Sequence, residues 1–144
     1  PLPAPPLPLG GGGGGRHSLD GSETALEAAR QLAAITGAVV AITGAVDYVT
    51  DGRRVAAIEN GHPLMTRVTG LGCSATAVIG AFLAVEPDAF AATVAGLTVF
   101  GVAGEIAAEQ ARGPGSLQVA LLDTLYQLEE AAFVKRCGCR TVAF

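Results

Sequence analysis

Residues 68–76 read VTGLGCSAT, and three residue types in this stretch bear on chemistry. Gly70 and Gly72 let a backbone approach a ligand closely. The apolar residues that follow open a helix, whose first N–H groups and positive dipole end stabilise an anion. Gly70, Leu71, Gly72 and Cys73 can therefore cradle a phosphate. Phosphoryl transfer needs such a cradle, because negative charge on the moving group must be stabilised while an acceptor hydroxyl is held in line. A cysteine at the helix start can accept that hydroxyl's proton or orient the hydroxyl. On residue types alone, a helix-entry turn with Cys73 as a small buried hydrophobe is the commoner meaning of the pattern.

Thr43 and Gly44 close an apolar run, residues 38–43, that reads as a strand buried on both faces. Ligands bind at such strand ends in α/β folds, although a strand-end Thr-Gly is also an ordinary turn. His62 before Pro63 reads as a loop residue rather than a general base, and His17 borders a flexible leader. No second histidine stands at metal-ligand spacing, so no side chain is assigned to a metal. Cys137 and Cys139 form a C-x-C that nothing else in the sequence completes into a soft-metal site, so they read as part of a solvated tail.

The elements that must position these residues follow from pattern. Residues 1–15, PLPAPPLPLGGGGGG, cannot bury enough apolar area to offset their ordering entropy and read as a disordered leader. They lack the basic start and continuous apolar centre of a signal peptide. From Asp20 a helix is expected, with Ser22 as N-cap, Leu26, Ala29, Leu32 and Ala33 on one face, and Gly37 as C-cap. Asp51-Gly52 joins two β-rich runs as a hairpin, and Asn60-Gly61 turns the chain again. Three helices are expected at 74–85, 88–110 and 117–128, with Pro87 at the start of the second and Ser116 capping the third. Residues 129–144 read as a helix end and a tail without assigned function.

A chain of 144 residues suits one domain, and with half its residues hydrophobic and 15% charged it favours close-packed, alanine-rich helices. A formal charge of −4 without a basic cluster argues against a nucleic-acid partner. The apolar stretches 75–85 and 89–104 are shorter than the ~20 residues of a membrane span, and they lack the basic face of a membrane-surface helix. Three cysteines imply no disulfide framework and suit a reduced, cytoplasmic protein.

Several segments together resemble one family. AITGAVDYVTDG (41–52), NGHPLMTRVTGLGCSATAVIGAF (60–82), FGVAGE (100–105) and ARGPGSLQVALLDTLYQL (111–128) resemble hydroxyethylthiazole kinase, of the ribokinase-like fold, in order and spacing. With GRHSLDGSETALEAARQLA the similarity spans residues 15–128. The resemblance implies the C-terminal half of a three-layer α/β/α domain, residues 16–128, with alanine-rich helices on a mainly parallel sheet. It implies transfer of the γ-phosphoryl of ATP, with magnesium as cofactor, to the hydroxyl of 4-methyl-5-(2-hydroxyethyl)thiazole in thiamine biosynthesis. Carried over by motif, Thr43 looks like an ATP contact, Gly70 a thiazole contact, and Gly70, Leu71, Gly72 and Cys73 the anion hole. Cys73 stands where sugar kinases of the superfamily carry a catalytic Asp, and the family's homotrimers place active sites between subunits.

Three departures qualify the resemblance. The usual TGEVD is TGAVD, so Ala45 replaces an acidic residue; Leu71 replaces a small or hydroxyl residue between the two motif glycines. The chain is also about half of a complete kinase domain, which commonly exceeds about 200 residues, and the missing part would supply sheet strands and ATP and thiazole contacts. Another ribokinase-like small-molecule kinase, or a fragment that binds nucleotide or associates with subunits without catalysis, is also compatible with these residues.

Overall fold

The computed structural model describes residues 17–142, with side chains described from residue 24 onward. The proline and glycine leader, residues 1–15, lies outside the described residues. The first helix, α1 (His17–Thr36), ends where Gly37 takes φ 71° and donates its N–H to the Ala33 carbonyl at 2.8 Å. That end matches the expectation, but the start does not: Ser22 lies inside the helix rather than at its cap. A glycine inside a helix, here Gly21, costs only about 1 kcal/mol and does not stop it.

Four strands follow: β1 (Val40–Ile42), β2 (Asp47–Thr50), β3 (Val55–Ile58) and, from the tail, β4 (Cys139–Thr141). They form one sheet in the order β1-β2-β3-β4, and every pair is antiparallel, with Val49 opposite Ala56 and Ile58 opposite Cys139. The expectation of a mainly parallel sheet is therefore corrected for the described strands. For β1–β2 and β2–β3 the reason lies in the connections: residues 43–46 and 51–54 are tight turns, whereas a parallel pair needs a crossover of a dozen or more residues. The β2–β3 hairpin forms as its Asp-Gly pair predicts. Gly52 has φ 90°, and Asp51 Oδ1 accepts the N–H groups of Arg53 (2.9 Å) and Arg54 (2.6 Å).

Three layers result. Val49 and Ile58 point toward α3 (Ala89–Gln110) and join its Leu97, Phe100 and Ala103, and Leu117 and Leu121 of α4 (Pro114–Gln127), in the core. Strand alternation turns Thr50, Val55 and Ala57 to the opposite face, the side on which α1 meets β1 and β2. On the α3 side, α3 lies over β2 and β3, which leaves Ala41 of β1 exposed. The expectation that 38–43 is buried on both faces is thus not met within the described residues.

Half of the 22 residues of α3 are buried. This helix is long and apolar enough, by length and composition, to cross a membrane, and its packing between α2 (Leu71–Leu83), α4 and the sheet accounts for that composition. Asp88 caps α3 by accepting the Phe90 N–H. Arg54 ties this cap to the hairpin, holding Asp51 at 2.7 Å and Asp88 at 2.6 and 2.9 Å while its guanidinium lies 4.3 Å from the Phe90 ring centroid. α4 begins at Pro114, earlier than expected, and Ser116 caps from inside its first turn, accepting the N–H groups of Arg112 and Gly113.

The tail is the larger correction. After α5 (Glu130–Arg136) it adds β4 to the sheet, and Cys139 packs half-buried against the core rather than in solvent. Burial, then the neighbouring Cys137, pushes the Cys139 thiol up, with the Thr98 hydroxyl opposing. A strand of three residues is too short to show a period in the sequence.

Candidate functional site

A cavity of about 530 Å³ opens where four parts of the chain converge. Thr43, Gly44 and Ala45 leave β1 on one side, with Asp47 at the start of β2. Leu71, Gly72 and Ala75 of α2 stand on another side, Asn60, Gly61, His62 and the 3-10 helix Pro63–Arg67 make a wall, and Leu97, Phe100 and Gly101 of α3 line it from below. Thr43 and the glycine motif, far apart in sequence, thus border the same space.

The start of α2 suits an anion. Gly70 is its N-cap, with φ 87° and ψ 0°, and no side chain caps the helix. The N–H groups of Leu71, Gly72 and Cys73 therefore have no intrahelical carbonyl to bond, while the Ser74 N–H closes the first turn onto Gly70 O at 3.0 Å. The positive φ explains glycine at position 70. Gly72 has neither a positive φ nor a close neighbour, since an added Cβ would meet nothing within 4 Å. Glycine there keeps the cavity face of the first turn bare. Leu71 lines the cavity and packs half-buried against the core, so it pins the helix start down. Gly70 and Cys73 are exposed and flank the cavity rather than line it.

The cavity also gathers residues that the sequence reading missed. Asp47 is the one carboxylate among its lining residues. Its Oδ1 accepts the Gly44 N–H at 2.8 Å, and burial pushes its carboxyl up, with that hydrogen bond partly opposing. An acidic residue set between Val46 and Tyr48 was the available signal. His62 lines the wall, but its Nδ1, in the assigned tautomer, accepts the Leu64 N–H at 3.2 Å and caps the 3-10 helix, as suits a loop residue. Among the described residues no group of three His, Cys, Asp or Glu side chains is placed to hold a metal ion. A single carboxylate fits a magnesium ion that arrives on a polyphosphate, which keeps several waters and takes one or two carboxylates from a protein.

A model of the Hydroxyethylthiazole kinase family matches residues 11–131. The chain belongs to this family. A hydroxyethylthiazole kinase of Granulibacter bethesdensis is 65% identical over 122 residues, 85% of this chain and 44% of the relative. One of Cereibacter sphaeroides is 57% identical over 118 residues, 82% of this chain and 45% of the relative. The solved structure of the hydroxyethylthiazole kinase protein from Pyrococcus horikoshii OT3 superposes with a TM-score of 0.81 at 44% identity, covering 86% of this chain and 48% of that one. The chain spans about half the length of these kinases. Its α/β layers are a partial ribokinase-like fold, and the family match stops within α5, before β4.

Proposed function

We propose that this chain carries the phosphoryl-transfer part of an ATP-dependent hydroxyethylthiazole kinase, acting on the hydroxyl of 4-methyl-5-(2-hydroxyethyl)thiazole in thiamine biosynthesis. The observation that carries the reading is the cavity that faces Thr43 and Asp47 toward the bare first turn of α2. Thr43 contacts ATP and Gly70 the thiazole. The N–H groups at 70–73 form the anion hole, holding charge that develops on the transferred phosphoryl. The substrate oxygen forms a bond to the γ-phosphorus as the bond to the β-phosphate oxygen breaks and ADP leaves. Cys73, exposed at the rim, orients the hydroxyl or takes its proton. Asp47 is the carboxylate that would hold magnesium there, and magnesium supplies charge neutralisation on the phosphates. The family suggests a homotrimer, and ATP as donor suits a cytoplasmic setting with neither nucleic acid nor membrane as partner.

The test is phosphorylation of hydroxyethylthiazole by the purified chain with ATP and magnesium, with mass-spectrometric detection of the phosphate ester. Product that Gly70→Asp abolishes supports the reading, and no product from a folded, soluble chain defeats it. Cys73→Asp is expected to retain or raise turnover, and total loss in a steady-state assay counts against the role given to Cys73. A second reading, a nucleotide-binding or subunit-association module without catalysis, is favoured by the exposed Ala41 of β1. ATP binding without product would select it.

A further inference from the structure

The wall of the cavity is held by a hydrogen-bond knot that neither the glycine motif nor the proposed chemistry uses. Asn60 donates from Nδ2 to Glu105 Oε1 at 3.0 Å and to the Arg136 carbonyl at 2.8 Å, and its Oδ1 accepts the Gly138 N–H at 2.7 Å. Glu105 Oε1 also accepts the Gly61 N–H at 2.9 Å. Both Nδ2 protons of Asn60 are thus engaged inside the protein, and so is the Gly61 N–H. Although Asn60 and Gly61 line the cavity, the Asn60 side-chain amide and the Gly61 N–H have no proton left for a ligand.

The knot lies on a step cut into α3. A Cβ on Gly101 would stand 2.8 Å from Asn60 Cβ, and one on Gly104 would collide with the Met65 side chain. Glycine at these positions lets residues 60–65 lie directly on the helix. The tail supplies two of the three hydrogen bonds of Asn60, and Glu59 adds to them, donating its N–H to the Gly138 carbonyl at 3.1 Å and accepting from Arg140 Nε at 3.0 Å. These tail residues lie beyond the segment that the family match spans.

We infer that the tail, residues 136–142, is part of the cavity's construction, and that Asn60 and Glu105 are positioning residues that clamp the cavity wall between α3 and β4. They act on a ligand through the shape of the wall, without donating a side-chain hydrogen bond to it. The consequence for turnover rests on the kinase reading above; the consequence for the wall does not.

The experiment compares the full chain with Asn60→Ala, Glu105→Ala and Glu105→Gln, by amide hydrogen exchange and by ¹H–¹⁵N spectra. Glutamine keeps the side-chain oxygen that accepts from Gly61 and Asn60, so it is the conservative rescue. Residues 61–66 are expected to exchange about tenfold faster in Glu105→Ala, as the loss of a charge-assisted hydrogen bond implies, with α2 unchanged. The Gly61 amide proton resonance should move upfield in Glu105→Ala and return in Glu105→Gln. In Asn60→Ala the acceleration should extend to 137–142. Unchanged exchange at 61–66 in Glu105→Ala, a uniform rise through the whole chain, or a Glu105→Gln protein that behaves like Glu105→Ala overturns the clamp. If the wild-type chain makes no phosphate ester but shows this local pattern, the kinase reading falls and the clamp stands.

Discussion

Both α2 and α3 are apolar helices that contain glycine, yet the glycines face different surroundings. In α3, a Cβ on Gly96 would stand 2.9 Å from Ile79 Cα and one on Gly101 2.8 Å from Asn60 Cβ; at the start of α2, one on Gly70 or Gly72 would meet nothing within 4 Å. The α3 glycines exist for close packing, which the buried faces of that helix show directly. Packing cannot explain the α2 pair. Gly70 answers to a backbone angle, and Gly72 stands in open space at the cavity edge, where the function proposed above puts the ligand. The same residue type therefore serves close packing in α3 and stands in open space in α2, where Gly72 borders the cavity and Gly80, equally open, does not.

The contrast can be broken most severely in α3. Gly101→Ala is expected to destabilise the fold by about 1–3 kcal/mol, the range for an overpacked interior, read from the denaturant midpoint. A neutral result would mean that the Asn60 wall is not seated on α3. Next comes Gly70→Ala, which forces a side chain into the left-handed region at a cost of about 1 kcal/mol with no clash to relieve. Gly72→Ala should have the opposite sign, stabilising α2 by about 0.5 kcal/mol because alanine is the better helix former, while phosphate-ester formation falls. If activity survives while stability rises, ligand does not approach position 72 and the comparison between the two helices fails.

The smallest expected effect sharpens the cavity's electrostatics. Burial holds the Asp47 carboxyl above its ordinary range. Its contribution to stability is therefore fully present below the unfolded value near 3.8 and is lost as pH rises through the higher folded value. Asp47→Asn keeps an oxygen for the Gly44 N–H and should be somewhat more stable than wild type at pH 7 but not at pH 3, by urea midpoints at both values. Asp51 runs the other way. Partial burial would raise it, but the Arg54 N–H, the Arg54 guanidinium and the Arg53 N–H outweigh that and hold it near 2. Its stabilisation is present above pH ~4 and fades as pH falls toward the folded value, and its exposure to solvent keeps the effect small.

Much of the local structure was legible in the residues. Gly37 ends α1 and Asp51-Gly52 turns the hairpin, because each acts through its own backbone or a neighbour within a few positions; the starts of α3 and α4 were legible only as lying near Pro87 and Ser116, whereas Asp88 and Gly113 are the N-caps. Gly70 at a helix entry was legible for the same reason. The site was only half readable: Thr43 and the glycine motif stood out by type and spacing, Asp47 only as an acidic residue between Val46 and Tyr48, and the Asn60–Gly61–His62 wall carries no local signature of a cavity.

By itself the sequence determined that the main helices and the hairpin turn exist and where α1 ends, and, through its resemblance, the family. Tertiary structure decided the antiparallel register, the exposure of Ala41 in β1, the strand contributed by the tail, and the meeting of residues 43–47, 60–66 and 71–75 around one space. The division is physical. Caps and turns are governed by hydrogen bonds and backbone angles within a few residues, while strand partners and cavity walls depend on pairings across the chain, whose loop-closure cost only the assembled core offsets.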